Sequence, residues 1–355
     1  MDEILALHFF RRITNAQKRQ ILHENGTNLG DLKRHVLKYL NRDKTAESSW
    51  FEACEKAYRE TQICKREGVE IYAATDVNKF PSFLLEIPDP PVVLFGRGKW
   101  NNSTVPLSVI GSRKMTTYGE RLTKSFIQDL SQYPVNIVSG LALGIDGVAH
   151  RSALACGAST QAFLAGGLGY LSPKRHSSLA KTMVDQGGGY FTEQSFFTPS
   201  LPQYYPVRNR LIAGASLATL VIEAARKSGA MITANQAFQY HREVYAIPGA
   251  LFQPMSEGTN ALIYDEIARA ALDPASFVKS FYPTWAKNDE IIDFDKDLEG
   301  QLVRHFPHGR RVHSTYLKSA TGLCNSQLFR AIQVLLDLGV IEKTAPLVYQ
   351  RKSIP

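Results

Sequence analysis

Two stretches of sequence decide the fold: Ser108-Val-Ile-Gly-Ser-Arg-Lys-Met-Thr-Thr-Tyr-Gly119 and Val138-Ser-Gly-Leu-Ala-Leu-Gly-Ile-Asp-Gly-Val-Ala-His150. In each stretch an apolar run stops at a turn of small residues, and the pattern of a helix follows. A parallel sheet built from such units presents backbone amides and helix N-termini to an anion. Arg113 lies in the first turn, and its guanidinium group suits a phosphate. The two stretches therefore predict a phosphate-binding edge.

The same alternation of strand and helix continues along the middle of the chain. The patterns predict six strands, at Leu107–Ile110, Asn136–Ser139, Thr160–Leu164, Gly189–Thr192, Ala218–Glu223 and Glu243–Ile247. They predict intervening helices at Tyr118–Gln132, Asp146–Cys156, Ser177–Gln186, Arg208–Ser216 and Ala230–Tyr240. Thr117 and Glu120 are expected to form a capping box for the first of these helices. Right-handed crossovers then imply an α/β fold whose parallel sheet is covered on both faces.

The two ends of the chain have a different character. Residues 1–66 read as short helices, and short strands are expected at Val69–Tyr72 and Val92–Phe95. Residues 298–349 read as two helices joined by a glycine turn and followed by a hairpin, which is typical of a winged helix-turn-helix. The expected domains are 1–66, 67–282 and 297–355, with a linker at 283–296.

Composition limits the class of protein. The chain has 355 residues and a net charge of +8. Residues 1–66 carry 13 Lys and Arg against 9 Asp and Glu, residues 296–355 carry 9 against 4, and the middle carries 19 against 20. Basic ends are compatible with nucleic acid. No apolar run reaches the roughly 18 residues of a membrane span, and the acidic start is a poor secretory signal. Four scattered cysteines without metal-ligand spacing fit the cytoplasm.

Small, cationic and aromatic residues gather after the predicted strands. The candidate phosphate-binding residues are Gly111, Ser112, Arg113, Gly140, Leu141, Ala142, Lys174, Arg175, Arg208, Asn209 and Arg210. The candidates for stacking on bases are Phe197, Tyr204 and Tyr205. Arginines that hold a backbone beside aromatic faces are the usual design of a groove for single strands. The cationic and aromatic segments are expected on loops that follow parallel strands, with the predicted helix beginning at Arg208.

Other interpretations of these residues remain open. The loop after the third strand begins Gly167-Leu-Gly169 but lacks the third glycine of a dinucleotide fingerprint, and the chain has no P-loop. Asp146 and His150 could act as an acid–base pair, although Asp146 is also well placed as a helix N-cap. Glu193 and Glu223 end strands, where either could do chemistry or pair with Arg208 or Arg210. No residue set predicts a catalytic nucleophile or a metal.

The motifs resemble those of the DNA processing protein A (Smf) family. The matching segments are Gly111–Gly119, Ser139–His150, Arg208–Gly214, Glu223-Ala, Ser228–Ala234, Val244–Gly249 and Gly258–Asn260. They follow the family's order over about 150 residues. The chain departs from the family's pattern at Gly169, Ser172, His241 and Ile267, and residues 1–66 lack the family's Gly-Ile-Gly hairpin signature.

The resemblance implies a fold and a function. It implies an extended Rossmann-like core, a small SAM-like helical N-terminal domain and a C-terminal winged-helix domain. Proteins of this family protect incoming single-stranded DNA in natural transformation and load the RecA recombinase onto it. The resemblance thus implies a cytoplasmic homodimer that binds single strands, and duplex DNA more weakly, without a cofactor or catalysis. On this sequence the phosphate pocket is carried by Ser112, Arg113, the Gly140 loop, Lys174 and Arg208-Asn209-Arg210.

Two competing functions remain at this point. One is a Rossmann-like hydrolase of nucleotides or phosphoribosyl groups, with Glu193 or Glu223 as the acid; the chain lacks the Pro-Gly-Gly-x-Gly-Thr loop of such enzymes. The other is a sequence-specific regulator led by residues 298–349, in which Arg310, Arg311 and Arg330 contact a duplex.

Overall fold

The chain folds into two compact units, Met1–Ala270 and Ala271–Pro355. The structure, a computed structural model, describes residues 2–25, 32–40, 44–281, 302, 305–306, 311–323, 325–337, 341–345 and 347–351. Cys54, Cys64 and Cys156 are free thiols, and Cys324 lies outside the described residues. None of the described helices combines the length and hydrophobicity of a membrane span.

The first unit alternates helices and strands around one sheet. Its helices are α1 Asp2–Phe9, α2 Asn15–Asn25, α3 Leu32–Tyr39, α4 Lys44–Glu67, α5 Thr117–Leu130, α6 Ile145–Ala155, α7 Ser177–Asp185, α8 Tyr204–Gly214, α9 Gly229–Gln239 and α10 Glu257–Tyr264. Its strands are β1 Glu70–Ala73, β2 Val93–Gly98, β3 Val105–Ile110, β4 Val135–Ser139, β5 Ser159–Phe163, β6 Gly189–Thr192, β7 Ala218–Val221, β8 Glu243–Ala246 and β9 Arg269–Ala270. Two 3-10 turns span Ser82–Glu86 and Lys174–His176.

The sheet is mostly parallel, as the sequence predicts. Its nine strands run in the order β1-β2-β6-β5-β4-β3-β7-β8-β9. The six predicted strands all lie in its parallel part, and strand β3 is buried at every position because helices cover both of its faces. At one end, β2 pairs antiparallel with β6, and β1 pairs antiparallel with β2. The expected sheet is therefore extended by an antiparallel edge.

The order of the strands creates a crevice beside β3. From β3 the chain proceeds outward to β4, β5 and β6, then returns to form β7 on the other side of β3. The loops that leave β3 and β7 consequently diverge. Ligands of open α/β sheets bind at such a switch point, outside the carboxyl ends of the strands. The residues that follow Ile110 and Val221 are therefore expected to line a ligand site.

The N-terminal helices share a core with the sheet. Leu5, Phe10 and Trp50 belong to the same buried cluster as Phe95 of β2 and Met183 of α7. The Glu60 carboxylate of α4 also accepts a hydrogen bond from the amide of Phe196, at 2.5 Å. Residues 1–66 are helical as expected where they are described, and they pack on the sheet through both apolar and polar contacts.

Three local expectations were wrong. Helix α8 begins at Tyr204, four residues earlier than predicted, because Pro206 lies in its first turn, where a missing amide hydrogen costs little. The N-cap of α5 is Thr116, whose Oγ1 accepts a hydrogen bond from the Gly119 amide; Thr117 is not the N-cap. The N-cap of α6 is Gly144, so that Asp146 lies within the first helical turn.

The second unit contains a small antiparallel sheet. Its elements are α11 Pro274–Phe281, β10 Arg311–His313, α12 Ser314–Thr321, α13 Asn325–Asp337, β11 Ile341–Ala345 and β12 Val348–Arg351. The strands are ordered β10-β12-β11 around an apolar core that includes Phe306 and Leu317. Arg311 is exposed, whereas Arg330 is 9% exposed and so poorly placed to contact a duplex. Arg310 and the linker 283–296 lie outside the described residues.

The buried imidazole of His150 makes stability depend on pH. Thr160 Oγ1 donates to the carbonyl of Ile137 and accepts from His150 Nδ1 at 2.7 Å, so Nε2 is the unprotonated nitrogen. Nε2 has no hydrogen-bond partner among the described residues. Burial, followed by the nearby His176 and Arg151, lowers the pKa of His150 from 6.5 to about 3. As the pH falls, His150 is therefore protonated in the unfolded chain at a higher pH than in the folded protein.

We expect the free energy of unfolding to fall by about 1 kcal/mol for each pH unit below about 6 on account of His150 alone. This contribution is complete above pH 6.5 and is lost progressively toward pH 3. Urea unfolding of His150→Asn across this range should show a shallower dependence on pH. His23→Asn, at an exposed position of α2, is the control. Equal pH dependence in wild type and His150→Asn would contradict the assignment.

Candidate nucleic-acid interface

Two adjoining cavities lie over the carboxyl ends of the parallel strands. The larger has a volume of about 560 Å³ and is lined from the loops after β3 and β7 and from helices α8 and α9. The smaller has a volume of about 140 Å³ and is lined from the loops after β4 and β5. Four residues line both cavities: Arg113, Ala142, Tyr205 and Arg208. We call the two cavities together the groove.

An arginine–tyrosine–arginine group stands where the cavities meet. The guanidinium carbon of Arg113 lies 4.7 Å from the centroid of the Tyr205 ring, and that of Arg208 lies 5.9 Å from it. Arg113 is exposed, while Arg208 is 5% exposed. Stacking on an aromatic face orients a guanidinium without consuming its hydrogen-bond donors. The group therefore presents two oriented cations to the groove.

Arg208 is fixed from behind by backbone carbonyls. Its Nη1 donates to the carbonyl oxygens of Gly140, at 2.7 Å, and of Phe163, and its Nε donates to Asn209 Oδ1 at 3.2 Å. Burial lowers the pKa of Arg208 to about 10, so the side chain stays charged at neutral pH. Because Nε and Nη1 bond to the protein, Nη2 is the group best placed to meet an anion in the groove.

Asp146 is the counter-ion of this arginine and shapes the Gly140 loop. Its Oδ2 accepts from the Gly140 amide at 3.1 Å, and it also accepts from the Ala142 amide. Burial raises the pKa of Asp146, and the charge of Arg208 opposes that shift. A Cβ atom at position 140 would lie 2.5 Å from Arg208 Nη1, so only glycine allows the arginine to approach. Asp146 thus acts on the loop and not as an acid–base partner of His150.

Three amides of the predicted cradle already have acceptors within the protein. The Ser112 amide donates to the carbonyl of Glu223 at 2.8 Å, and the Lys114 amide donates to Ser112 Oγ at 3.0 Å. The Gly140 amide is bonded to Asp146. These amides hold the loops in place because they have internal acceptors. The exposed cations of these loops are the side chains of Arg113 and Lys114.

Arg210 faces away from the groove. Its Nη2 contacts both carboxylate oxygens of Glu193, at 2.6 and 2.5 Å, and its Nη1 donates to the carbonyl of Asp89 at 2.8 Å. Burial raises the pKa of Glu193, and the charge of Arg210 opposes this shift. The two residues form an ion pair that fixes α8 against the loop that carries Asp89. Arg210 was predicted to bind phosphate, but its donors are directed at this ion pair.

Glu223 supports the first loop of the groove. Its carboxylate accepts from the Thr116 amide at 2.9 Å and from Thr116 Oγ1 at 2.5 Å. Glu223 is 4% exposed and lines neither cavity of the groove. Glu223 and Glu193 both make structural bonds, which explains their positions at strand ends without chemistry.

The remaining predicted residues are distributed around the groove. Leu141 is fully buried, and Lys174 and Arg175 are exposed beside Pro173, which lines the smaller cavity. Gly111, Ser112 and Asn209 line the larger cavity, and Gly140 lines the smaller. Phe197 is exposed and Tyr204 is half-buried, but neither lines a cavity. Tyr205 is thus the aromatic candidate that the structure places in the groove.

Several groove residues were missed by sequence reasoning. The exposed Lys114 lines the larger cavity, and the exposed Arg226 and Lys227 immediately precede the lining residue Ser228. Met255 lines it from a loop distant in sequence. Arg226 and Lys227 follow a predicted strand, and this position could have identified them as groove residues. The position of Met255 in the groove depends on tertiary structure and has no local sequence signal. No cluster of metal-ligating side chains occurs among the residues described.

Comparisons with known proteins agree with this architecture. The family described as DNA recombination-mediator protein A matches residues 72–282. Protein Smf of Escherichia coli is 42% identical over 189 residues, which span 53% of this chain and 50% of that protein. DNA processing protein DprA of Bacillus subtilis is 31% identical over 234 residues, 64% of this chain and 78% of that protein. The chain thus spans half the length of the first relative.

Solved structures share the fold. The structure of DNA processing protein A from Streptococcus pneumoniae matches with a TM-score of 0.66 and 28% identity, covering 78% of this chain and 97% of that one. A structure of the Helicobacter pylori protein, described in terms of its mode of binding single-stranded DNA, matches with a TM-score of 0.55 and 24% identity. It covers 61% of this chain and 97% of that one.

The different surroundings of Arg210 and Arg113 predict opposite effects on stability. Arg210→Met should lower the free energy of unfolding by about 3–5 kcal/mol, because it leaves the Glu193 carboxylate buried without its partner. Arg113→Met should cost about 1 kcal/mol or less, because the side chain is exposed and loses only its contact with Tyr205. Urea unfolding followed by circular dichroism measures both values. Similar losses in the two variants would contradict the structural role of Arg210.

Proposed function

Because the chain belongs to the DNA recombination-mediator protein A family, we propose that it binds single-stranded DNA in the groove. The bound strand is protected and passed to the RecA recombinase during recombination and natural transformation, and the chain catalyses no reaction. The observation that carries this proposal is the Arg113–Tyr205–Arg208 group at the centre of an open groove. Phosphates meet Arg113, Arg208 Nη2 and the ammonium group of Lys114.

The charges around the groove support a strand that runs along it. Lys114, Arg226 and Lys227 border the larger cavity, and Lys174 and Arg175 lie beside the smaller one. A polyanion can contact both groups of cations, whereas an isolated nucleotide reaches one. Exposed Phe197 and half-buried Tyr204 are available for stacking outside the cavities.

Association of two chains would increase this affinity. We propose that homodimers form through the edge of the sheet at β9, where both residues are exposed and where Phe238 and Tyr264 are 50% and 86% exposed. A dimer presents two grooves to one strand, which raises the apparent affinity through the effective concentration of the second site.

The second unit is proposed to serve as a winged-helix domain. Helices α12 and α13 are followed by an antiparallel pair of strands, and Arg311 and Lys318 are exposed on this unit. These cations suit the phosphates of a duplex. Residues 297–355 would then supply the weaker affinity for duplex DNA, independently of the groove.

Replacement of Arg113 tests the central proposal. Fluorescence anisotropy with a labelled single strand should show tight binding by wild type and at least about tenfold weaker binding by Arg113→Glu, since charge reversal repels the phosphate. The dependence of affinity on salt should also become shallower, by about 0.7 in the logarithmic slope for each lost phosphate contact. The same variant should no longer promote assembly of RecA on the strand.

Two controls locate the site. Arg59→Glu reverses an exposed charge on α4, away from the groove, and should bind like wild type. A chain lacking residues 296–355 should retain single-strand affinity and lose affinity for the duplex. Equal binding by wild type and Arg113→Glu would move the DNA site out of the groove.

The molar mass of the protein in solution tests the proposed dimer. Light scattering after gel filtration should give twice the mass of the chain for wild type and a single chain mass for Phe238→Glu/Tyr264→Glu, because charged side chains oppose burial of this edge. Phe51→Glu, at a position that is 65% exposed on α4, should remain dimeric. A monomeric wild type, or a double variant that stays dimeric, would overturn the proposed interface.

A further inference from the structure

The carbonyl of Leu141 connects two loops of the groove. Leu141 is fully buried and has a φ of 54°, a left-handed conformation that is unfavourable for a non-glycine residue. Its carbonyl accepts a hydrogen bond from Nδ1 of His176, at 2.9 Å. Arg208 and Asp146 hold the preceding residue, Gly140, but neither belongs to the loop that follows β5. His176 therefore joins the Gly140 loop to a different basic loop.

The geometry fixes which nitrogen of this imidazole donates to Leu141. A carbonyl oxygen only accepts hydrogen bonds, so Nδ1 of His176 carries the proton. Nε2 then lies 3.5 Å from Arg151 Nη1, on the opposite side of the ring. His176 is 6% exposed, and a Cβ atom at Gly147 would lie 2.5 Å from its Cε1. The ring is thus enclosed and held in one orientation.

The two residues before His176 are exposed cations. Lys174 and Arg175 form a 3-10 turn with His176, closed by a hydrogen bond from the His176 amide to the Pro173 carbonyl at 2.9 Å. Ser177 Oγ donates to the Lys174 carbonyl at 2.7 Å. The backbone of these cations is therefore rigidly attached to the imidazole, and through it to Leu141.

We propose that His176 is a positioning residue that sets the spacing between two pairs of cations. Lys174 and Arg175 form one pair, and Arg113 and Arg208 form the other. The two pairs then contact different phosphates of the same strand. This inference rests on the proposed binding of single strands in the groove. It adds that affinity depends on a strand long enough to reach both pairs.

Substitutions at His176 test the assigned bond. In anisotropy titrations with a labelled single strand, His176→Leu should raise Kd about fivefold, the size expected for one lost buried hydrogen bond. His176→Asn places an amide donor where Nδ1 stood and should bind within about twofold of wild type. His176→Gln places its amide at the position of Nε2 and should resemble His176→Leu. Failure of asparagine to restore binding would overturn the proposal.

A double-mutant cycle separates positioning from general stability. In a Lys174→Ala/Arg175→Ala background, His176→Leu should cause little further loss, because the cations that it positions are gone. If His176→Leu raises Kd by the same factor in the wild-type and the Lys174→Ala/Arg175→Ala backgrounds, the proposal is overturned. Nitrogen NMR of the imidazole, without DNA, should show a proton on Nδ1 and none on Nε2; the reverse tautomer would overturn it even if a variant fails to fold.

The outcomes distinguish this inference from the proposed function. Wild type that binds the strand while every His176 variant binds equally well contradicts the positioning role alone. Wild type that binds no single strand overturns both.

Discussion

A buried guanidinium group at the carboxyl end of the sheet organises the groove. Arg208 extends from α8 to the carbonyls at the ends of β4 and β5 and lies opposite the Asp146 carboxylate. A cation removed from water must be surrounded by acceptors, so helix, loop and strand ends are constrained to one arrangement. The close approach requires glycine at position 140, and Asp146 accepts hydrogen bonds from the amides of Gly140 and Ala142. The shape of this part of the groove follows from this constraint.

Three arginines near this edge have different roles because their surroundings differ. Arg210 lies two positions from Arg208 on α8, so the two side chains leave the helix in different directions. Arg210 forms an ion pair with Glu193, whereas Arg208 lines the groove. Arg113 is exposed and is oriented by an aromatic ring alone. The number of donors that each side chain leaves unbonded decides whether it can bind a ligand, and proximity in sequence does not.

The family, the parallel sheet and the loops of the groove could be predicted from sequence, because strand–turn–helix periodicity and small residues at strand ends are local signals. The resemblance to DNA processing protein A is confirmed. The sequence left open which of Glu193 and Glu223 pairs with Arg208 or Arg210, and the observed pairing of Glu193 with Arg210 depends on how α8 packs. The start of α8 was misplaced because Pro206 reads as a helix breaker unless its position in the first turn is known. His241 has a φ of 56°, a left-handed conformation in which glycine would be unstrained. Met255 reaches the groove only through tertiary folding.

The apolar cluster that joins the N-terminal helices to the sheet has a consequence for cooperativity. Leu5, Phe10 and Trp50 cover side chains of β2 and α7 that would otherwise meet water. Helices that share a core with a sheet do not melt ahead of it, so residues 1–270 are expected to open as one foldon. The N-terminal helices then belong to the same folding unit as the sheet and do not form a separable domain. In evolution, it could be exchanged only together with the strand surfaces that it covers.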